Sequence, residues 1–263
     1  VQELATDSHY KLSDAKYPII FEYVGQDTAV VKIAVNDGKA IKNDLIYGSV
    51  SGKKVDEDGN ALGGAMIGLF RTDDGEFTKE NALMTTTSAK DGSFSFENIP
   101  CGTWYVREIE QPTGFVLDDT IYPVTIGTDG QVVEIEIVNE YGRGNIHLTK
   151  VDSEYPDNKL TGAIFEVYKD SNNNGKLDDS DELLGTLTEK EAGEYGMNDL
   201  FYGRYFVKET KAPDGFVLDT DVYEVVIDTD GKTYDVENKA GVGFINEAVS
   251  YTHLRAHETL RHL

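Results

Sequence analysis

The sequence predicts an all-β fold built as tandem copies of one module. Three observations lead there. Short runs rich in Val, Ile, Thr, Phe and Tyr, such as 132–138 and 223–227, alternate with Asp-Gly pairs at Asp58-Gly59, Asp74-Gly75, Asp91-Gly92, Asp129-Gly130 and Asp230-Gly231, the signature of β-hairpins. No stretch sustains the helical period; only Thr78 to Met84 and Glu189 to Glu194 offer a helical turn. The chain also repeats itself at a spacing of one small domain.

The repeat sets the element order. Gly48-Ser-Val-Ser-Gly-Lys-Lys-Val-Asp56 aligns with Gly144-Asn-Ile-His-Leu-Thr-Lys-Val-Asp152, giving each copy a first strand that ends in Lys-Val-Asp. Arg107-Glu-Ile-Glu-Gln-Pro-Thr-Gly-Phe-Val-Leu-Asp118 aligns with Lys208-Glu-Thr-Lys-Ala-Pro-Asp-Gly-Phe-Val-Leu-Asp219 in mid-module, and Ile137-Val-Asn-Glu140 with Phe244-Ile-Asn-Glu247 at its end. Residues 48–141 and 142–248 are thus two complete modules. Residues 1–47 read as the C-terminal part of a third: Val1-Gln-Glu-Leu4 matches the glutamate segment, Tyr17-Pro-Ile-Ile-Phe21 matches Tyr122-Pro-Val-Thr-Ile126, and Ile41-Lys-Asn-Asp44 the asparagine segment. Its lysine-bearing strand would lie upstream of Val1, so 1–47 is expected to be the least stable part. With no starting Met and no signal peptide, the chain reads as a fragment.

Composition narrows the function classes. The net charge of −24 and pI near 4.4 argue against nucleic acid and anionic lipid, which need a basic face. Fifteen Tyr, eleven Phe and one Trp suffice for cores. The single cysteine, Cys101, excludes an internal disulfide and a cysteine metal site. No apolar run approaches the roughly 20 residues of a membrane span.

Strand parity carries the chemistry. Val50, Gly52 and Lys54 share one strand face, as do Ile146, Leu148 and Lys150. The same alternation aligns Trp104, Val106 and Glu108 with Tyr205, Val207 and Glu209, and Ile135, Ile137 and Asn139 with Val242, Phe244 and Asn246. Each complete module therefore aims one Lys, one Glu and one Asn at its core. Burying such groups unpaired costs several kcal/mol each, and a rule broken the same way twice marks function. Desolvation lowers a lysine pKa and raises a glutamate pKa, so a proton transfer leaves a neutral amine beside a neutral acid. The amine can attack the Asn carboxamide, and the acid can stabilise the oxyanion and shuttle a proton to departing ammonia. The product is a Lys–Asn isopeptide bond. Asn238 is a rival acceptor, but Phe244-Ile-Asn-Glu247 matches the other copy better.

Lys-Val-Asp, Lys-Glu-Thr-Lys-Ala-Pro-Asp-Gly-Phe and the terminal Asn-Glu resemble the Cna B-type, or SpaA-type prealbumin-like, repeats of Gram-positive surface adhesins and pilins. The resemblance spans residues 1–248 and implies tandem Greek-key β-sandwiches. It implies that Lys54 joins Asn139 with Glu108 as catalyst, and that Lys150 joins Asn246 with Glu209. The first copy offers Glu3 and Asn43 without a lysine or the Pro-x-Gly signal, so its bond cannot form within this fragment. The implied function is a stalk or spacer of an extracellular, cell-wall-associated protein whose partners are neighbouring repeats, self-cross-linking once rather than acting as an enzyme. The alternative is an adhesive module for a host matrix protein or glycan. No LPxTG sorting signal or polymerising lysine motif is visible.

Three further features complete the reading. Asp170-Ser-Asn-Asn-Asn-Gly-Lys-Leu-Asp-Asp-Ser-Asp181 follows a calcium-loop spacing, with Asp170, Asn172, Asn174, Asp178, Asp181 and the Lys176 carbonyl as ligands and an Asp where the bidentate Glu is usual; the alternative is a polar hairpin turn. No cofactor is otherwise required. His9 and His147 are without identifiable triad partners. Residues 249–263 resemble a translated sequencing adapter and are excluded, with His253, His257 and His262, from any metal argument.

Overall fold

The computed structural model describes residues 1–20, 25–26 and 33–249. The tail expected at 249–263, beyond Val249, and Phe21 of the first copy lie outside the described residues. Among those described there is no α-helix, only a 3-10 turn at Asn36–Gly38. The chain divides into two compact units: residues 1–113 with 117–140, and residues 114–116 with the remainder from Tyr141.

The first unit contains β1 (Tyr47–Asp56), β2 (Met66–Phe70), β3 (Met84–Thr87), β4 (Ser93–Pro100), β5 (Gly102–Glu110), β6 (Tyr122–Ile126) and β7 (Val132–Asn139). They form two sheets, β4-β1-β7 and β3-β2-β5-β6. Alternation along each strand sends Val50, Phe94, Phe96 and Ile137 from one sheet against Ile67, Leu69, Trp104, Val106, Val124 and Ile126 from the other, which makes a Greek-key β-sandwich. The Asp-Gly turns work as hairpin chemistry requires: Gly92 and Gly130 sit at φ 77° and 73°, open to glycine at little steric cost. Gly52, in the core-facing row of β1, has no such φ; it is needed because a Cβ there would fall inside the Phe94 ring.

The second unit repeats the plan with β8 (Arg143–Asp152), β9 (Ile164–Lys169), β10 (Glu182–Thr186), β11 (Thr188–Glu191), β12 (Glu194–Phe201), β13 (Gly203–Lys211), β14 (Val222–Ile227), β15 (Thr233–Asp235) and β16 (Phe244–Asn246). Its sheets are β11-β12-β8-β15, with β16 also on β8, and β10-β9-β13-β14. Its core is centred on Phe165, Tyr195, Tyr205 and Phe244, with Phe165 and Phe244 edge-to-face at 4.9 Å. Of the two expected helical turns, one is corrected here: residues 189–194 span the β11–β12 hairpin, closed by Gly193 at φ 73°. At 78–84, Thr78 O accepts the N–H groups of Asn81 and Ala82 at 3.2 and 3.1 Å, a single turn leading into β3.

First and last strands pair in parallel in both units. Lys54 faces Ile137 in the β1–β7 register and Lys150 faces Phe244 in the β8–β16 register. Parallel neighbours cannot be joined by a tight turn, so it is the whole of the intervening module that returns the last strand to the side of the first.

Candidate functional site

The lysine that ends each core-facing row is fully buried: Lys54 and Lys150 both have 0% of their surface exposed. Each Nζ donates to the carbonyl directly across the parallel pair, Lys54 to Ile137 O and Lys150 to Phe244 O, both at 3.2 Å. Glu108 on β5 and Glu209 on β13 reach in from the facing sheet. Their Oε1 atoms lie 3.9 Å from Lys54 Nζ and 3.7 Å from Lys150 Nζ. Their Oε2 atoms accept the Asn amides, Asn139 Nδ2 at 2.7 Å and Asn246 Nδ2 at 2.9 Å. All three parity-predicted side chains therefore meet in each unit, and Asn139 and Asn246 are buried with them.

The site leaves its carboxylates half satisfied. Oε1 of both Glu108 and Glu209 is buried without a hydrogen bond, as is Asn246 Oδ1. An ion pair at 3.7–3.9 Å without a direct hydrogen bond recovers little of its desolvation cost. Burial accordingly pushes Lys54 below the usual lysine range against the opposing pull of Glu108, and pushes Lys150 down to about 8 against Glu209 and Asp219. Burial raises Glu108, opposed by the Asp118 N–H, Asn139 and Lys54. In the first unit the direction is toward a neutral amine facing a protonated acid.

Sequence reasoning missed one part of this constellation. The Asp118 and Asp219 N–H groups donate to Glu108 Oε2 and Glu209 Oε2 respectively, both at 2.8 Å. Their carboxylates are held by Tyr122 Oη at 2.7 Å and Tyr223 Oη at 2.8 Å. The signal was present, since both copies carry Gly-Phe-Val-Leu-Asp followed four residues later by Tyr. The rival acceptor Asn238 does something else: its amide accepts from Ile245 N and donates to Ile245 O and Asp219, acting as a side-chain substitute for a strand partner between β15 and β16.

The remaining candidates are placed as follows. In 170–181, Asp170 takes the Asn174 and Gly175 N–H groups, Asp181 takes those of Ser171 and Asp178, and Asn174 Oδ1 takes that of Lys176. Asn172 and Asn174 turn their Nδ2 to Asp178. The loop is thus closed on its own donors, and among the described residues no three His, Cys, Asp or Glu side chains gather for a metal. His147, expected to stand alone, bonds Asp235 through Nδ1 at 2.6 Å and Glu194 through Nε2 at 2.7 Å, tying β8 to β15 and β12. Burial alone would raise Glu194, but Lys159, Thr149 and His147 together hold it low. Among the described residues, the side-chain partners of the two histidines are carboxylates: His9 bonds Asp7. No described helix is long and apolar enough to cross a membrane.

Fold and site together define a tandem prealbumin-like β-sandwich whose modules each enclose a Lys–Glu–Asn trio. The chain belongs to the SpaA prealbumin-like fold domain family, whose model matches residues 48–141 and 144–240. It is 28% identical over 124 residues to the trypsin-resistant surface T6 protein of Streptococcus pyogenes, covering 41% of this chain and 21% of that protein. It is 29% identical over 154 residues to the serine-aspartate repeat-containing protein D of Staphylococcus aureus, covering 51% of this chain and 11% of that protein. The chain thus spans about a fifth or less of these relatives. Among solved structures, the Bacillus anthracis TIE protein superimposes with a TM-score of 0.62 at 26% identity, covering 79% of this chain and 35% of that one.

Proposed function

We propose that residues 48–141 and 142–248 are structural spacer modules of an extracellular, cell-wall-associated surface protein, each locked by a Lys–Asn isopeptide bond that it forms itself. The observation that carries this reading is the burial of Lys, Glu and Asn together, in the same arrangement, in both units. The surface assignment draws on the family and on the relative named as a surface protein. Residues 1–47 belong to a further module of the same kind.

The chemistry needs no cofactor. A proton passes from Lys54 Nζ to Glu108, leaving a neutral amine. The amine attacks Asn139 Cγ while the protonated Glu108 steadies the developing oxyanion. The Cγ–Nδ2 bond then breaks, and Nδ2 leaves as ammonia with the proton supplied through Glu108. Lys150, Glu209 and Asn246 act identically in the second unit. The fold supplies the proximity that an intermolecular reaction lacks. Each unit turns over once, so the glutamates are catalysts without the chain being an enzyme.

The bond also sets the load path. Tension entering β1 at Tyr47 reaches Lys54, crosses to Asn139 at the end of β7 and leaves, so residues 55–138 carry none of it. Tryptic digestion tests the proposal: a branched peptide joins the segments bearing Lys54 and Asn139, and Glu108→Ala replaces it with two linear peptides. Recovery of only linear peptides from the folded parent chain contradicts it.

A further inference from the structure

The acceptor strand of the second unit is held differently from that of the first. β7 runs unbroken for eight residues and pairs with β1 along its whole length, from Val132 opposite Ser49 to Asn139 opposite Asp56. β16 pairs with β8 over only three residues, Phe244 to Asn246, because residues 236–243 interrupt the strand between β15 and β16. So short a strand has few ladder bonds with which to fix the side chain at its end.

Asn238 stands in that interruption and makes up the deficit. Its Oδ1 accepts the Ile245 N–H at 2.7 Å and its Nδ2 donates to Ile245 O at 2.9 Å, so one side chain satisfies both backbone groups of the residue next to the acceptor Asn246. The same Nδ2 donates to Asp219 Oδ2 at 2.8 Å. The Asp219 N–H in turn donates to Glu209 Oε2 at 2.8 Å, and Glu209 Oε2 accepts Asn246 Nδ2 at 2.9 Å. These bonds close a ring, from Asn238 through Ile245 to Asn246, across to Glu209, and back through Asp219. Both partners of the Glu209–Asn246 contact are thereby referred to one amide. Asp219 is steadied further by Tyr223 Oη at 2.8 Å and the Asp221 N–H at 2.9 Å. Burial alone would raise its pKa, but Asn238, the Asp221 N–H and Tyr223 together hold it low, so it stays an ionised acceptor for Asn238.

We propose that Asn238 is a positioning residue for the cross-link of the second unit, holding the Asn246 carboxamide and the Glu209 carboxyl in register with Lys150 without itself being joined. This rests on the reading given for the complete modules, and the bond made and the ammonia lost are those described there. The tolerance is small. Lys150 Nζ lies 3.7 Å from Glu209 Oε1, and misplacing reacting groups by about 1 Å costs about 100-fold in rate. The first unit holds its acceptor through the full β1–β7 ladder instead, so the device belongs to the second unit.

Cell-free synthesis of the full chain, stopped in denaturant at intervals and followed by tryptic digestion, reports both units at once through the Lys54–Asn139 and Lys150–Asn246 branched peptides. In Asn238→Ala the second peptide is expected to accumulate about ten-fold or more slowly than in the parent chain, with the first unchanged. Asn238→Asp is expected to be slow as well, because it sets a second carboxylate against Asp219. Exchanging the pair, Asn238→Asp with Asp219→Asn, restores a donor–acceptor bond between the two positions and keeps an acceptor for the Ile245 N–H; it is expected to recover most of the rate. Recovery also shows that the unit folds, and a side chain that merely filled space would not give it. The proposal is overturned by a second peptide that forms at the parental rate in Asn238→Ala, by an exchanged pair no faster than Asn238→Asp alone, or by a branch from Lys150 to Asn238. Absence of both branched peptides from the parent chain fails the cross-link reading itself, so the two failures are told apart.

Discussion

Replacing Lys54 with Met removes the amine while keeping an unbranched buried side chain of similar length, and its effect can be worked out in advance. A bond between Lys54 and Asn139 closes a loop of 86 residues, and closing a loop of that length removes about 4.6 kcal/mol of unfolded-state entropy. The native side loses little: the one hydrogen bond from the lysine nitrogen to Ile137 O, worth about 1 kcal/mol net. Glu108 keeps its two donors, Asn139 and the Asp118 N–H. Trp104 is the only tryptophan in the chain and is 5% exposed in the first unit's core, so its fluorescence reports that unit alone. With a slope of about 2 kcal/mol per molar urea, the midpoint should fall by about 2 M in Lys54→Met. Lys53→Met, one residue away on the exposed face, should stay within about 0.5 kcal/mol. A Lys54→Met midpoint as close to the parent as that of Lys53→Met would refute the cross-link.

Other consequences are equally direct. In Asn246→Ala, Lys150 remains a free amine that burial pushes down to about 8, below the ordinary lysine value of 10.5. The unfolded chain then holds a proton that the folded one has shed, so the variant should gain up to about 2 kcal/mol between pH 8 and 9.5, read by urea unfolding with tyrosine near-ultraviolet dichroism. The parent chain, its amine consumed, should show no such slope, and equal slopes in the two would contradict the account. Stretching single molecules of Lys54→Met should release about 300 Å more contour length than the parent, from some 86 residues at about 3.5 Å each; equal release would remove the proposed load path. In loop 170–181 the Asp170 and Asp181 oxygens already accept backbone N–H groups and Asp181 stands where the bidentate Glu is usual, so calorimetric titration with calcium should give a dissociation constant no tighter than about 10⁻⁴ M; micromolar binding would contradict this.

Much of the site was legible because strand parity is a hard constraint. Alternation along β1, β5 and β7 sends Lys54, Glu108 and Asn139 to one side, and the second copy repeats the pattern, so the inward rows could be written down without coordinates. Turn chemistry was legible for the same local reason, as at Asp91-Gly92, where Asp91 Oδ1 accepts Ser93 N. What escaped depended on tertiary partners. The Glu189–Glu194 run has the charges of a helical turn, but its residues pair across Gly193 into a hairpin, which local propensity does not decide. His147 finds Asp235 from 88 residues away and Glu194 from 47, distances at which sequence carries no pairing signal. The split of the last strand into β15 and β16, bridged by Asn238, breaks the repeat only in the second copy, and a two-copy alignment cannot align an insertion with anything. Asp118 and Asp219 were overlooked because they act through backbone N–H groups, which residue type does not advertise.

The mass of the denatured parent chain addresses the central claim with the fewest intermediaries. Two bonds expel two molecules of ammonia, so the account predicts a value about 34 Da below that of the linear sequence, and for either Glu108→Ala or Glu209→Ala a value about 17 Da below that of the variant's own linear sequence. A folded parent chain that weighs the same as its linear sequence would contradict it.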